Sequence, residues 1–164
     1  MTRAQLLESA ERLSTPSEAS VQEFSDCRGE MAGVVIRAMG DRPDFEDLVG
    51  PRGGNLAEDN NRNFPLFMES IMAHFDPPVL VDTALWAFVT YRSHGFRVAF
   101  WSANLTTWLQ TLEATLSKEA RAEIAPFFEW LLTNVPAFTE LTDAPDSFVK
   151  SAHMGGDENS TGPE

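Results

Sequence analysis

The chain contains 164 residues, of which 43% are hydrophobic and 12 are phenylalanine, and its formal net charge is -13 at pH 7. This length and composition are typical of one globular domain with a single core. The negative charge and the lack of any lysine or arginine cluster disfavour nucleic acids and anionic membranes as partners. A single cysteine, Cys27, excludes an intramolecular disulfide.

The sequence contains no continuous apolar run near the ~18 residues that a membrane-spanning helix needs. The first residues, MTRAQLLESAERL, carry charges throughout and lack the apolar segment of a signal peptide. We therefore expect a cytoplasmic protein. Its acidic surface favours solubility and suits a basic protein as a partner.

The first part of the chain predicts two helices followed by a long loop. A short amphipathic helix is predicted over Thr2–Leu13, and a longer one over Pro16–Met39 with Thr15 as its N-cap. The segment Gly40–Asn63 is rich in glycine, proline and polar residues, which indicates a loop with one helical turn around Pro43–Leu48.

Two glycines, Gly29 and Gly33, lie four residues apart inside the second predicted helix. Each lowers helix propensity by about 1 kcal/mol relative to alanine. We therefore expect another helix to approach closely at these positions.

Four stronger helical patterns follow the loop. The first of these helices is predicted to begin after Asn63, its N-cap, and has a proline in its first turn. The next two helices are predicted over Pro78–Ser93 and Val98–Leu116. Ser117 is predicted to cap the last long helix, which extends to about Asn134.

No segment shows the two-residue alternation of a half-buried strand. The predicted fold class is therefore all-α: a bundle of six or seven helices with a long loop before the third main helix. One helical domain is expected over residues 1–145. Residues 146–164 are polar and end in GGDENSTGPE, which predicts a disordered tail.

The stretch Ala84–Leu116 holds three of the four tryptophans, the only tyrosine and a central histidine. Two helical patterns meet there at the corner Arg92–Phe96, where we expect a pocket to open. The bulky stripe Phe64–Phe75 faces this corner, and it predicts either core packing or the wall of an apolar cavity for a fatty acid or a flat cofactor. The candidate binding residues are His94, Phe64, Phe67, Met68, Ile71, Trp86, Tyr91, Arg92, Phe96, Phe100 and Trp101.

The polar residues at this corner have two interpretations each. Arg92, Arg97 and Tyr91 either pair with a ligand carboxylate or form a solvated helix end. His94 either ligates iron through a neutral imidazole nitrogen or bonds the last carbonyls of its own helix. The sequence leaves both choices open.

The order of these elements resembles the globin fold, best over Asn63–Leu132. The corner Arg92–Phe96, followed by Phe100 and the helix Trp101–Leu116, resembles the segment that carries the proximal haem histidine. The resemblance implies an oxygen carrier, a haem-based sensor, or a haem-free globin-like sensor domain of a bacterial signalling protein. If haem is bound, the resemblance implies that His94 is the metal ligand. The implied distal wall consists of Phe64, Phe67, Met68 and Ile71.

No serine lies between the glycines of a nucleophile elbow, and no glycine-rich phosphate loop follows a strand, so we expect no enzyme. Our first hypothesis is a globin-like sensor or regulatory domain without haem, which binds an apolar ligand, a signalling protein partner, or both. We expect it to form a homodimer through exposed faces that include Trp108 and Trp130. The alternatives are a haem globin with His94 as proximal ligand, and an acidic helical adaptor with a filled core.

Overall fold

Residues 1–143, the part of the chain that the computed structural model describes, contain eight α-helices. In chain order they are α1 Arg3–Ala10, α2 Glu18–Gly40, α3 Phe45–Val49, α4 Gly54–Ala73, α5 Pro77–Ser93, α6 Val98–Thr115, α7 Lys118–Thr133 and α8 Val135–Asp143. No strand occurs within residues 1–143, so the all-α prediction is confirmed. The predicted tail, residues 146–164, lies outside the described residues.

The long loop before the third main helix is mostly absent, because α4 begins at Gly54 and not at Asn63. Both Asn63 and Pro65 lie inside α4, and the predicted N-cap is wrong. The inward positions of this first half of α4 include Asn60 and Asn61, which are buried. Since polar residues occupy these positions, the apolar repeat that marks a helix in a sequence is missing there.

A second error concerns α8, because no helix was predicted after about Asn134. This helix follows α7 directly, with Asn134 as the C-cap of α7. Pro136 lies in the first turn of α8. A proline is compatible with this position, because N–H groups in the first turn have no hydrogen-bond partner within the helix and proline has no N–H to lose. With α8 and the one-turn α3, residues 1–143 contain eight helices, more than the predicted six or seven.

Two of the long helices begin with serine caps. The Ser117 hydroxyl accepts a hydrogen bond from the Ala120 N–H at 3.2 Å, so the predicted start of α7 is confirmed. The N-cap of α2 is Ser17, whose hydroxyl accepts from the Ser20 N–H, and the prediction of Thr15 is wrong.

Helix α2 packs against α4, α6 and α7, and α5 packs against α1 and α8. A Cβ atom placed on Gly29 would meet no atom within 4 Å in the described structure, and one on Gly33 would meet only the Arg37 side chain. The expected close helix approach at these glycines is therefore not made.

None of the helices in residues 1–143 has the length and apolar character needed to cross a membrane.

The aromatic residues expected to form a dimer interface are in the core instead. The exposed fraction is 0% for Trp108 and 8% for Trp130. Trp108 packs against Phe64 and Phe128, and the Trp130 indole N–H donates to the Ser9 hydroxyl at 2.9 Å. The predicted interface through these two side chains is therefore wrong.

The predicted corner between α5 and α6 is present. Gly95 has a φ of 95°, a conformation that glycine adopts without the steric cost of a side chain. The Arg97 N–H donates to the Leu48 carbonyl at 2.8 Å, which fastens the corner to α3. The start of α6, and with it the aromatic residues of that helix, is fixed relative to the rest of the bundle.

Candidate ligand cavity

A cavity of about 210 Å³ lies between α4, α5 and α6 and is completed by residues of α7 and α8. Its walls are predominantly aromatic and aliphatic. The lining residues are Asn60, Asn63, Phe64, Phe67, Thr83, Ala84, Trp86, Ala87, Phe88, Tyr91, Trp101, Asn104, Leu105, Leu131, Val135 and Phe138. No charged side chain is among them in the described part of the chain.

The cavity exists because α5 is held by α1 and α8 and presents small side chains to the gap. The Arg3 guanidinium bonds the Asp82 carboxylate at 2.6 Å, which joins α1 to α5. Ala84 and Ala87 are three residues apart on α5, and both line the cavity. Residues at this spacing lie on one helix face, so two alanines leave space that larger side chains would fill.

The aromatic wall is held by ring contacts. Trp101 stacks on Phe88 with ring centroids 5.3 Å apart, and the Tyr91 ring meets Trp101 edge-on at 5.7 Å. Phe88 also contacts Phe138 of α8 at 5.9 Å. Such contacts add to the stability gained from burial and fix the orientation of the rings. The wall is therefore largely pre-formed.

Beneath this wall, a buried hydrogen-bond chain links α4 to α6. The Trp108 indole N–H donates to Asn61 Oδ1 at 2.9 Å, and Asn61 Nδ2 donates to Asn104 Oδ1 at 2.8 Å. All three side chains are at most 2% exposed. Buried polar groups are costly unless they are paired, so these hydrogen bonds explain why Asn61 and Asn104 are stable at inward positions.

Trp101 differs from Trp108 and Trp130 because its indole N–H has no partner. The Nε1 atom is shielded from solvent and makes no hydrogen bond within the described structure. A buried donor without a partner is unusual and costs free energy relative to a paired one. Trp101 lines the cavity, so one side chain of the cavity wall carries an unpaired donor.

Five of the predicted binding residues line the cavity: Phe64, Phe67, Trp86, Tyr91 and Trp101. The other apolar candidates do not line it and are part of the buried core: Met68, Ile71, Phe96 and Phe100. The structure thus brings together one aromatic face of α4 with the facing sides of α5 and α6.

His94 lies at the C-cap of α5, is exposed, and is not part of the cavity wall. Its Nδ1 atom is 2.8 Å from the Thr90 carbonyl oxygen, so the ring bonds its own helix. A bond of this kind orients a ligating histidine in many metal sites, but here the ring lies outside the cavity. Within residues 1–143 there is no cluster of metal-ligating side chains. Because the His94 ring lies outside the cavity, the residues present do not fit a haem that His94 holds there.

Of the three polar residues predicted to pair with a ligand at this corner, only Tyr91 lines the cavity. The Arg92 guanidinium bonds Asp143 at 2.7 Å and the Thr142 hydroxyl at 3.1 Å. Burial raises the pKa of the Tyr91 phenol, and the Asp59 carboxylate raises it further, so this phenol is neutral at pH 7. Arg97 is exposed at the N-cap of α6 and does not line the cavity.

Several lining residues were not predicted from the sequence. Asn60 and Asn63 fell in the supposed loop, and Phe138 fell after the last predicted helix. Ala84 and Asn104 lie in the stretch Ala84–Leu116, but neither was predicted to be a binding residue. The signal for Asn104 would have been its position three residues after Trp101, on the same face of α6.

Comparison of the sequence and the structure with protein-family models, with curated proteins and with solved structures gave no match.

Proposed function

We propose that this chain is a globin-like sensor or regulatory domain that binds a small apolar ligand between α4 and α5, without haem. The observation that supports this proposal is the uncharged aromatic cavity of about 210 Å³. Apolar cavities of about 150 Å³ in protein cores are large enough to bind benzene. A cavity with this lining therefore suits a compact aromatic or alicyclic molecule.

A sensor also needs a surface that transmits occupancy to a partner. Trp86 lines the cavity and is nevertheless 57% exposed, so it belongs both to the cavity and to the outer surface of α5. Val79 and Val89 are further exposed apolar residues of the same helix. A ligand that contacts Trp86 would change the apolar surface that a signalling protein, or a second copy of the chain, recognises. A cytoplasmic location is part of this proposal.

The adaptor alternative is supported by the same exposed side chains of α5 and by the net charge of -13, which suits a basic partner. The two proposals differ in whether the cavity is used. An adaptor with an unused cavity would tolerate a larger side chain there, whereas a ligand sensor would lose its ligand.

The test uses ethylbenzene as the probe and calorimetric titration of the full chain. Ala84→Phe fills the cavity from the α5 side, and Ala38→Phe places the same side chain at an exposed position of α2. We expect wild type and Ala38→Phe to bind with equal affinity, and Ala84→Phe to bind roughly tenfold more weakly or not at all, because its ring occupies the ligand volume. Equal binding by all three proteins, or no binding by the wild type, would overturn the proposal.

A further inference from the structure

We infer that the ligand of this cavity is a neutral molecule with a hydrogen-bond acceptor, such as a ketone, quinone or ester, which Trp101 and Asn104 bind by donating to it. The inference rests on the proposed function and adds the chemical class of the ligand. It follows from the buried polar atoms around the cavity and from the absence of charge in its described lining.

The hydrogen-bond chain under the cavity fixes the orientation of both amides. An indole N–H can only donate, so the Asn61 atom that faces Trp108 must be Oδ1. Asn61 then presents its Nδ2 to Asn104, and the Asn104 atom that receives this bond must be Oδ1. The group of Asn104 left over is therefore its NH₂, which has donors and no acceptor.

This NH₂ group donates to no protein atom in the described structure, although Asn104 is only 2% exposed and lines the cavity. The Trp101 indole N–H is a second unpaired donor, on a side chain that lines the cavity. Its Nε1 atom is covered in the described structure, so the ligand has to displace the side chains that cover it. Trp101 and Asn104 are three residues apart on α6 and so occupy one face of that helix. A carbonyl oxygen has two lone pairs and can accept from both side chains.

The remaining polar residues of the lining discriminate less strongly between types of ligand. Asn63 is exposed and Thr83 is only half-buried, so water can satisfy both. Asn60 offers a donor and an acceptor alike and does not discriminate between ligand types. The buried, donor-only pair on α6 therefore determines which head group is bound.

A carboxylate is the weaker candidate for that head group. No lysine, arginine or histidine lines the cavity in the described range, and Arg92 already pairs with Asp143. Burying an ionised carboxylate without a cation is costly, and the chain already carries a net charge of -13. A neutral carbonyl satisfies the two donors without this cost.

The test compares three probes of similar size: ethylbenzene has no acceptor, acetophenone has a carbonyl, and benzoate has a charge. We expect acetophenone to bind the wild-type chain about fivefold more tightly than ethylbenzene, as one net hydrogen bond would give, and benzoate to bind most weakly. Trp101→Phe keeps an aromatic ring but removes the N–H, so its preference for acetophenone should fall substantially. Trp130→Phe removes an indole outside the cavity and should keep the wild-type preference.

Proton–nitrogen NMR of the wild-type chain gives a readout that needs no variant to fold. The Trp101 indole proton should lie further downfield with acetophenone than with ethylbenzene, which carries the same ring without an acceptor, and neither probe should move the Trp130 indole. Equal affinities for acetophenone and ethylbenzene, an unmoved Trp101 indole, or tightest binding of benzoate would overturn the inference and leave the cavity's ligand binding intact. Failure of all three probes to bind would overturn the proposed function itself.

Discussion

Glu123 of α7 accepts two hydrogen bonds from Ser17, the N-cap of α2: one from its backbone N–H and one from its hydroxyl, each at 2.7 Å. The relationship is reciprocal, because Glu23 of α2 accepts from the N–H and the hydroxyl of Ser117, the N-cap of α7. Each helix therefore supplies a carboxylate to the start of the other. A negative charge at a helix N-terminus is also favourable to the helix dipole. This arrangement fixes α2 and α7 antiparallel, in register.

The cap at Ser17 should make stability depend on pH. Hydrogen bonds from the Ser17 hydroxyl and N–H lower the pKa of Glu123 below its ordinary 4.5. The stabilisation is therefore fully present above pH 4.5 and is lost as the pH falls through the lowered pKa of the folded state. In urea denaturation, Glu123→Gln should be less stable than wild type at pH 7, and this difference should shrink as the pH falls below 4.5. Glu129→Gln, an exposed change on the same helix, is the control, and a pH-independent deficit in Glu123→Gln would contradict the prediction.

The buried hydrogen bonds that link Trp108, Asn61 and Asn104 should contribute strongly to the stability of the fold. Asn61→Ala leaves the Trp108 indole N–H and Asn104 Oδ1 without their partner. We expect a loss of about 3 kcal/mol in the free energy of unfolding, since each buried unpaired group costs about 1–3 kcal/mol. Asn55→Ala, at an exposed position of α4, should change it by less than about 0.5 kcal/mol. Similar changes in the free energy of unfolding for the two variants would mean that the buried hydrogen bonds of Asn61 do not stabilise the fold.

Helix α8 should be an integral part of the fold, because its side chains complete the cavity wall. Phe138 is 3% exposed and contacts Phe88 and Trp130. Phe138→Ala should destabilise the chain by about 3–5 kcal/mol in thermal or urea denaturation, because it removes a large buried ring. Thr133→Ala, an exposed change at the end of α7, provides the comparison. A loss below about 1 kcal/mol in Phe138→Ala would show that α8 is not packed as described.

His94 should be dispensable for the ligand. His94→Ala changes an exposed side chain outside the cavity, so the affinity for ethylbenzene should stay within about twofold of wild type. Absorption spectra during titration with haemin test the haem alternative on the same pair of proteins. A haem absorption band that forms in wild type and disappears in His94→Ala would show that iron is ligated there and would refute our placement of the site.

The sequence predicts the fold where apolar residues themselves mark the helices. The α5–α6 corner is predictable because Gly95 interrupts two strong patterns, and the aromatic wall follows from Phe64, Phe67 and Trp101. The first half of α4 is not predictable, because asparagines occupy its inward positions. Asn61 is paired there by Trp108 of α6, which is distant in sequence. The cavity itself depends on where α1 and α8 hold α5, which no local pattern encodes.

The central claim is that an apolar molecule occupies the space beside Ala84 and Ala87. The most direct measurement is the intermolecular nuclear Overhauser effect between ethylbenzene and the alanine methyl groups of the wild-type chain. We predict cross-peaks from the probe to the methyl groups of Ala84 and Ala87 and none to Ala38, which is exposed on α2. Saturating ethylbenzene that gives no cross-peak to either cavity alanine would contradict the account.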